Sequence, residues 1–438
     1  MKRLLASAAA LSLALAAPGP CFAQAQSAPA EAVPASAPPP AAAPIPFADT
    51  IIPPPSRTRP AARTDEAGLW DVSDRAEQEA RNSGELEHDP ALNTYLRGVA
   101  CKVAAADCGN IRLYVMNRPL FNAQMAPNGY MEVWSGLLLR SENEAQLAFV
   151  LGHEITHFSE NHSVIALREA KSRANAAMLL SITIAVATTA AAVNSPGSAQ
   201  SITNIGRGAM DVVYLGAVAS MFGFSRELET AADAQGFNRA VAAGYDPQAG
   251  VALWNNLRAE AQASDNLETR HKDARASIFA SHPLSADRIE ALTTLAQAHP
   301  ASGETFRARY RAMIRPHLDS WLRAEIRRRD AGETLVLLDH LDNDGEDLGL
   351  IEFYRGEVYR LRRQDGDFAL AEARYTAAIA QPDAPARAYR ERGDLRARDG
   401  DRAGAAQDLT AYLERAPAAE DRLLVEARIT QLNAGGNP

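Results

Sequence analysis

At 438 residues the chain is long enough for two or three domains. Hydrophobic residues at 47% support real cores, while aromatics at 6% mean that alanine and leucine build them. The formal net charge of −9, with no basic block, argues against nucleic acid as a partner.

The first residues set the compartment. Lys2 and Arg3 give a basic start, residues 4–17 an apolar core, and Cys21-Phe22-Ala23 a small-x-small end. This is the pattern of a secretory signal peptide cut after Ala23. The apolar core is short for a membrane span. Lipidation of Cys21 is the less favoured alternative, because Pro18-Gly19-Pro20 makes a poor lipobox. Residues 24–64 are rich in proline and alanine, cannot bury a core, and are expected to form a disordered linker.

Asp65–Ala105 reads as helix, with Leu92, Tyr95, Leu96 and Val99 on an apolar stripe. With Cys21 removed, Cys101 and Cys108 remain. An even pair in an oxidising compartment predicts a disulfide, the alternative being two buried thiols. Ile111–Met116 alternates like a strand, and Phe121–Trp134 predicts a hairpin or a sheet edge.

Gln146–Val164 reads as helix and contains His153-Glu154-Ile155-Thr156-His157. Histidines four apart fall on one helical face and can bind one metal from successive turns. Glu154, one position along, is placed to take a proton from water at that metal. A zincin with a third histidine requires His-x-x-Gly-x-x-His after the second. Here Ser159, Glu160, Asn161, His162 and Ser163 follow Phe158, so that class is excluded. His162, five after His157, is expected on a different face, as a non-ligand hydrogen-bonded near the helix end.

Residues 176–193 and 212–224 are uncharged. They read as a packed helical pair, with membrane contact as the open alternative. Ser225–Asp233 reads as helix with Glu229 and Asp233 on one face. A hydrolytic zinc site uses three protein ligands and one open position. Glu229 can be the third ligand, and Asp233 can accept a hydrogen bond from a ligand histidine's far nitrogen. His282-Pro283, further on, can simply cap a turn.

The C-terminal part repeats. Ala371, Tyr375 and Ala378 recur as Ala405, Leu409 and Tyr412 at the tetratricopeptide period, with Pro382 and Pro417 after the second helices. Trp321–Leu341 reads as a further degenerate pair. Stacked helix pairs of this kind make a curved surface for protein partners.

Four ordered stretches, Asn122–Val133, Gly152–His157, Ser225–Asp233 and Ser281–Ile289, together resemble the HtpX/BepA-like zinc metallopeptidases, relatives of the CAAX prenyl protease. The resemblance covers roughly residues 65–295. It implies an α+β zincin-like (gluzincin) domain, mostly helical with a small sheet, followed here by an all-α tetratricopeptide-like arm. It implies one Zn2+ per chain, held by His153, His157 and Glu229 rather than Glu227, with Glu154 as general base. It also implies that a strand edge around Asn122, Ala123, Gly129 and Tyr130 takes an extended substrate by strand addition. His282 is implied as a fourth ligand that holds the enzyme latent, or as a donor to the oxyanion.

The expected domains are 1–23 signal peptide, 24–64 linker, 65–300 metallopeptidase, 301–345 helical connector and 346–438 repeats. The expected function is an exported, periplasmic zinc endopeptidase acting on misfolded or misassembled envelope proteins. The arm would contact outer-membrane assembly machinery, with peripheral membrane contact left open. The alternatives are a largely latent chaperone and a membrane-embedded protease.

Overall fold

The computed structural model describes residues 58–172, 224–271, 286–299, 302–343 and 345–435. The expected signal peptide, most of the linker, insert residues 176–223 and His282 lie outside them. Among the described residues no helix is long and apolar enough to cross a membrane. The described residues are mostly helical, with one small sheet.

The expected helix 65–105 is two helices, α1 (Asp65–Asn82) and α2 (Pro90–Ala104). The break is local chemistry. Asp89 caps α2 by accepting from the Ala91 amide at 2.8 Å, and Pro90 occupies the first turn, where a missing N–H costs nothing. The intervening residues run beside a strand: the Glu87 amide donates to the Val115 carbonyl at 2.8 Å. The three strands are β1 (Arg112–Met116), β2 (Ala123–Met125) and β3 (Tyr130–Trp134), in the order β1-β3-β2. β1 runs parallel to β3 and β2 antiparallel to it, so β3 is central and β2 forms an edge.

A short helix α3 (Ser135–Arg140) leads into α4 (Glu144–Ser159). Every residue of α4 except Ser159 is buried, which makes it the core helix of the domain rather than an amphipathic surface one. Asn143 caps it through the Gln146 amide at 3.0 Å. Glu144, in its first turn, is buried and accepts from Tyr95 at 2.6 Å, Tyr245 at 2.7 Å and Arg309. Burial works against that charge, but the Arg309 and tyrosine hydrogen bonds keep its carboxyl below the usual range.

After α4 come α5 (Arg226–Ala242), α6 (Ala249–Ala263), α7 (Leu267–His271) and α8 (Ala286–Gln297). The C-terminal half continues as α9 (Arg307–Ile314), α10 (Leu318–Ile326), α11 (Ala331–Asp342), α12 (Leu348–Arg362), α13 (Asp367–Ile379), α14 (Ala386–Arg398), α15 (Arg402–Arg415) and α16 (Arg422–Asn433). Consecutive helices pack in pairs, α12 on α13 and α14 on α15. The repeated positions Ala371, Tyr375, Ala378, Ala405, Leu409 and Tyr412 are all buried.

One hydrophobic core runs from α2 through α4 into α14. Within it lies a buried charge network. Arg140 on α3 meets Glu260 on α6 at 2.7 Å, Glu325 on α10 at 2.8 Å and Glu333 on α11 at 3.1 Å. Arg328 closes the ring onto Glu325 at 2.6 Å and Glu333 at 2.9 Å.

Cys101 and Cys108 are joined by a disulfide, Cα atoms 4.5 Å apart, which ties the end of α2 to the turn before β1. Closing so small a loop should contribute about 2 kcal/mol. Reduction, or Cys108→Ser, should therefore lower the unfolding free energy by that amount and move the denaturant midpoint down accordingly. An unchanged midpoint would show that the turn is held by packing alone.

Candidate metal centre

α4 and α5 cross at a pair of glycines. A Cβ on Gly152 would stand 2.8 Å from the Gly236 carbonyl oxygen, and one on Gly236 2.6 Å from the His153 amide nitrogen. The two backbones therefore touch, which no larger residue allows. Glu229, Asp233 and Gly236 share one face of α5 at helical spacing. The crossing presents both carboxylates to His153 and His157.

The donors converge. His153 Nε2 lies 3.0 Å from His157 Nε2 and 3.5 Å from Glu229 Oε2, and His157 Nε2 lies 3.8 Å from Glu229 Oε1. Donors on a tetrahedral ion at zinc bond lengths stand about 3.3 Å apart. The observed separations bracket that value, so the three side chains, all buried, fit one such ion. Two imidazoles and a carboxylate are also a donor set that zinc prefers. Glu227 is on a different part of the helix surface and exposed.

The support behind these groups is ordered. His153 Nδ1 is 3.0 Å from Asp233 Oδ1. Arg288 on α8 donates to both Asp233 oxygens, at 2.6 and 2.8 Å, and reaches Glu229 Oε2 at 2.9 Å. Burial opposes charge on Asp233, but the Arg288 hydrogen bonds and charge hold it below the carboxylate range. Burial also opposes charge on His153, yet Asp233 and Glu229 outweigh it and raise the imidazole to about 9.

Glu154 is buried next to His153 on α4. Phe224, just before the Ser225 cap of α5, stacks on the His157 ring with centroids 3.8 Å apart. His162 is not turned away. The helix expected over Gln146–Val164 breaks at Asn161, which takes the left-handed conformation at φ 56°, and helix resumes over 162–172. Asparagine tolerates that conformation better than most residues. The break swings His162 back, so that its Nδ1 lies 2.9 Å from His157 Nδ1. Burial pushes the His162 imidazole down to about 4.

β2 packs against α4. The Asn122 carbonyl accepts from Trp134 and the Ala126 amide donates to Tyr130. By alternation, the outward backbone groups of the edge belong to Ala123 and Met125. Gly129 and Tyr130 are not part of an edge: they lie at the start of central β3, where Gly129 accepts from Arg112 and Tyr130 from Ala126. Backbone alternation leaves the outward groups of Ala123, but not those of Gly129 and Tyr130, for a neighbouring strand, and Ala123 and Met125 are themselves buried, at 0% and 2% exposure.

Arg288, Gly236 and Phe224 carry no role in the sequence reading. Gly236 had a signal, a minimal residue on the same face as Glu229 and Asp233. Arg288 and Phe224 come from outside the motif helices and had none beyond Arg288's place in the fourth stretch.

Residues 87–296 match the model of peptidase family M48. The chain is 25% identical over 275 residues to the β-barrel assembly-enhancing protease of Escherichia coli K12, covering 58% of this chain and 52% of the relative. It is 27% identical over 256 residues to the Vibrio cholerae protein designated in the same way, covering 58% and 47%. For the Yersinia pestis β-barrel assembly-enhancing protease the figures are 26% over 219 residues, 48% and 40%. The chain thus aligns with about half the length of these relatives.

Proposed function

From the membership of residues 87–296 in peptidase family M48, and their homology to the β-barrel assembly-enhancing proteases, we propose that this metallopeptidase is a zinc endopeptidase with the roles divided as follows. His153, His157 and Glu229 hold the ion. Zinc, when bound, supplies a Lewis acid that polarises a carbonyl and makes water acidic near neutral pH. Glu154 takes the proton from the attacking water and returns it to the leaving amine. Asp233 fixes the tautomer and angle of His153, and Arg288 fixes Asp233 and Glu229. An extended peptide would align on the outward backbone groups of Ala123 and Met125 only once what covers them moves aside, since both are buried here, and such backbone pairing favours unfolded chains over a defined sequence.

The observation that carries this reading is the convergence of two imidazoles and a carboxylate beside a buried glutamate. The purified chain should hold one zinc, and Glu229→Gln should lose most of it while Glu227→Gln keeps it. Metal content by mass spectrometry decides. The opposite pattern would overturn the ligand set.

The setting follows from two supports. The first 23 residues read as a signal peptide, and the relatives are named for β-barrel assembly. We place the chain in the periplasm, acting on misfolded or misassembled envelope proteins. The paired helices α12–α15 are read as a tetratricopeptide-like arm that binds those clients or their assembly machinery. A mainly latent chaperone is the second reading, favoured by the arm. Glu154 speaks against it, since a structural metal site has no use for a base. Casein turnover by the native chain separates the two.

A further inference from the structure

The two ligand histidines are supported by different chemistry. His153 has a carboxylate behind it, Asp233, at 3.0 Å. His157 has another imidazole, His162, at 2.9 Å between the two Nδ1 atoms. His157 Nε2 faces His153 and Glu229, so its lone pair is directed at the metal position. A neutral imidazole with a lone pair on Nε2 carries its proton on Nδ1. That proton points at His162, whose own Nδ1 must then be the acceptor and whose proton must be on Nε2.

Resting on the zinc reading above, we propose that His162 is a positioning residue. It accepts the Nδ1–H of His157 and thereby fixes the tautomer and ring angle that aim His157 Nε2 at the metal. The fold is arranged for this. On an unbroken helix a residue five along is rotated well away from its partner. The left-handed Asn161 interrupts α4 and returns His162 to within hydrogen-bond reach. Phe224 stacks on the face of the same ring, so His157 is held at one nitrogen and over one face. Both imidazoles are buried, and His162 is 4% exposed, which keeps water from replacing it as acceptor.

A neutral acceptor gives less electron donation than a carboxylate. The metal therefore meets two unequal imidazoles, a stronger donor at His153 and a weaker one at His157.

The test uses the full chain and zinc alone, titrated against a chromophoric chelator. His162→Asn keeps an acceptor oxygen near the position of Nδ1; His162→Leu keeps the bulk and removes the acceptor. The leucine variant should lose about 10–100-fold in zinc affinity, and the asparagine variant should recover most of that loss. The Nδ1–H resonance of zinc-bound His157 should be protected from exchange in the native chain and the asparagine variant, and lost with leucine. Thermal melting of the metal-free forms identifies a folding defect, and the native-to-asparagine comparison then decides. Equal losses in both variants, or no loss in either, would overturn the proposal. A native chain that takes up no zinc would instead overturn the metal reading on which it rests.

Discussion

Glu154→Gln should leave zinc content unchanged and reduce peptide hydrolysis by at least about 10²–10⁴-fold, the contribution of a positioned general base. The substitution is isosteric and the residue is buried, so α4 should pack as before. Glu154 is not one of the three converging donors, so the ion should be retained. What is lost is a carboxylate able to take a proton from water and pass it to an amine. An amide at the same position does neither. Turnover of casein or a quenched peptide, normalised to bound zinc, is the measurement. Activity within tenfold of the native chain would remove Glu154 from the mechanism.

Arg140→Met should cost about 3–5 kcal/mol in unfolding free energy, the typical result of removing one partner from a buried ion pair. Arg140 is 2% exposed and meets three glutamates on three helices. Burial resists its charge, but Glu325 and Glu260 hold its pKa well above the usual value. Without it, Arg328 still serves Glu325 and Glu333, whereas Glu260 is left with the longer contact to His340 at 3.8 Å, so Glu260 is the charge least well compensated. Adding Glu260→Gln should recover a substantial part of the loss, because a neutral amide is cheaper to bury than an unpaired carboxylate. Because α3 and α6 lie within the M48 stretch and α10 and α11 beyond it, the damage should fall on the junction between them. Denaturant unfolding measures the cost. A loss under about 1 kcal/mol, as for an exposed pair, would show that the junction is held by apolar packing instead.

The convergence of His153, His157 and Glu229 was legible because its logic is local. His153 and His157 are one turn apart, Glu229 and Asp233 are one turn apart, and helical periodicity alone puts each pair on one face. That the two faces meet was not legible, since it depends on what is missing at Gly152 and Gly236. Arg288 was hidden for a different reason: its partners are 55 and 59 residues upstream, and only the packing of α8 brings them together. His162 was misplaced because one backbone conformation, at Asn161, overrides the helical count. The helix break at residues 83–89 had a signal in Asp89-Pro90 that the apolar stripe of α2 outweighed. Of the sheet, the strands were visible but their order was not, and order is what separates Ala123 on the edge from Tyr130 in the centre.

The core helix α4 is fastened at both ends. At its start, Glu144 is gripped by Tyr95, Tyr245 and Arg309; at its finish, Asn161 turns the chain back onto His157. Along its length it is enclosed on all sides. Such a helix behaves as the fixed jaw of a vice. Under the proposed activity, motion that admits a peptide or sheds a product is expected in the parts that face it, on the side of α5, α8 and the β2 edge, with His153, Glu154 and His157 held in place by their common helix.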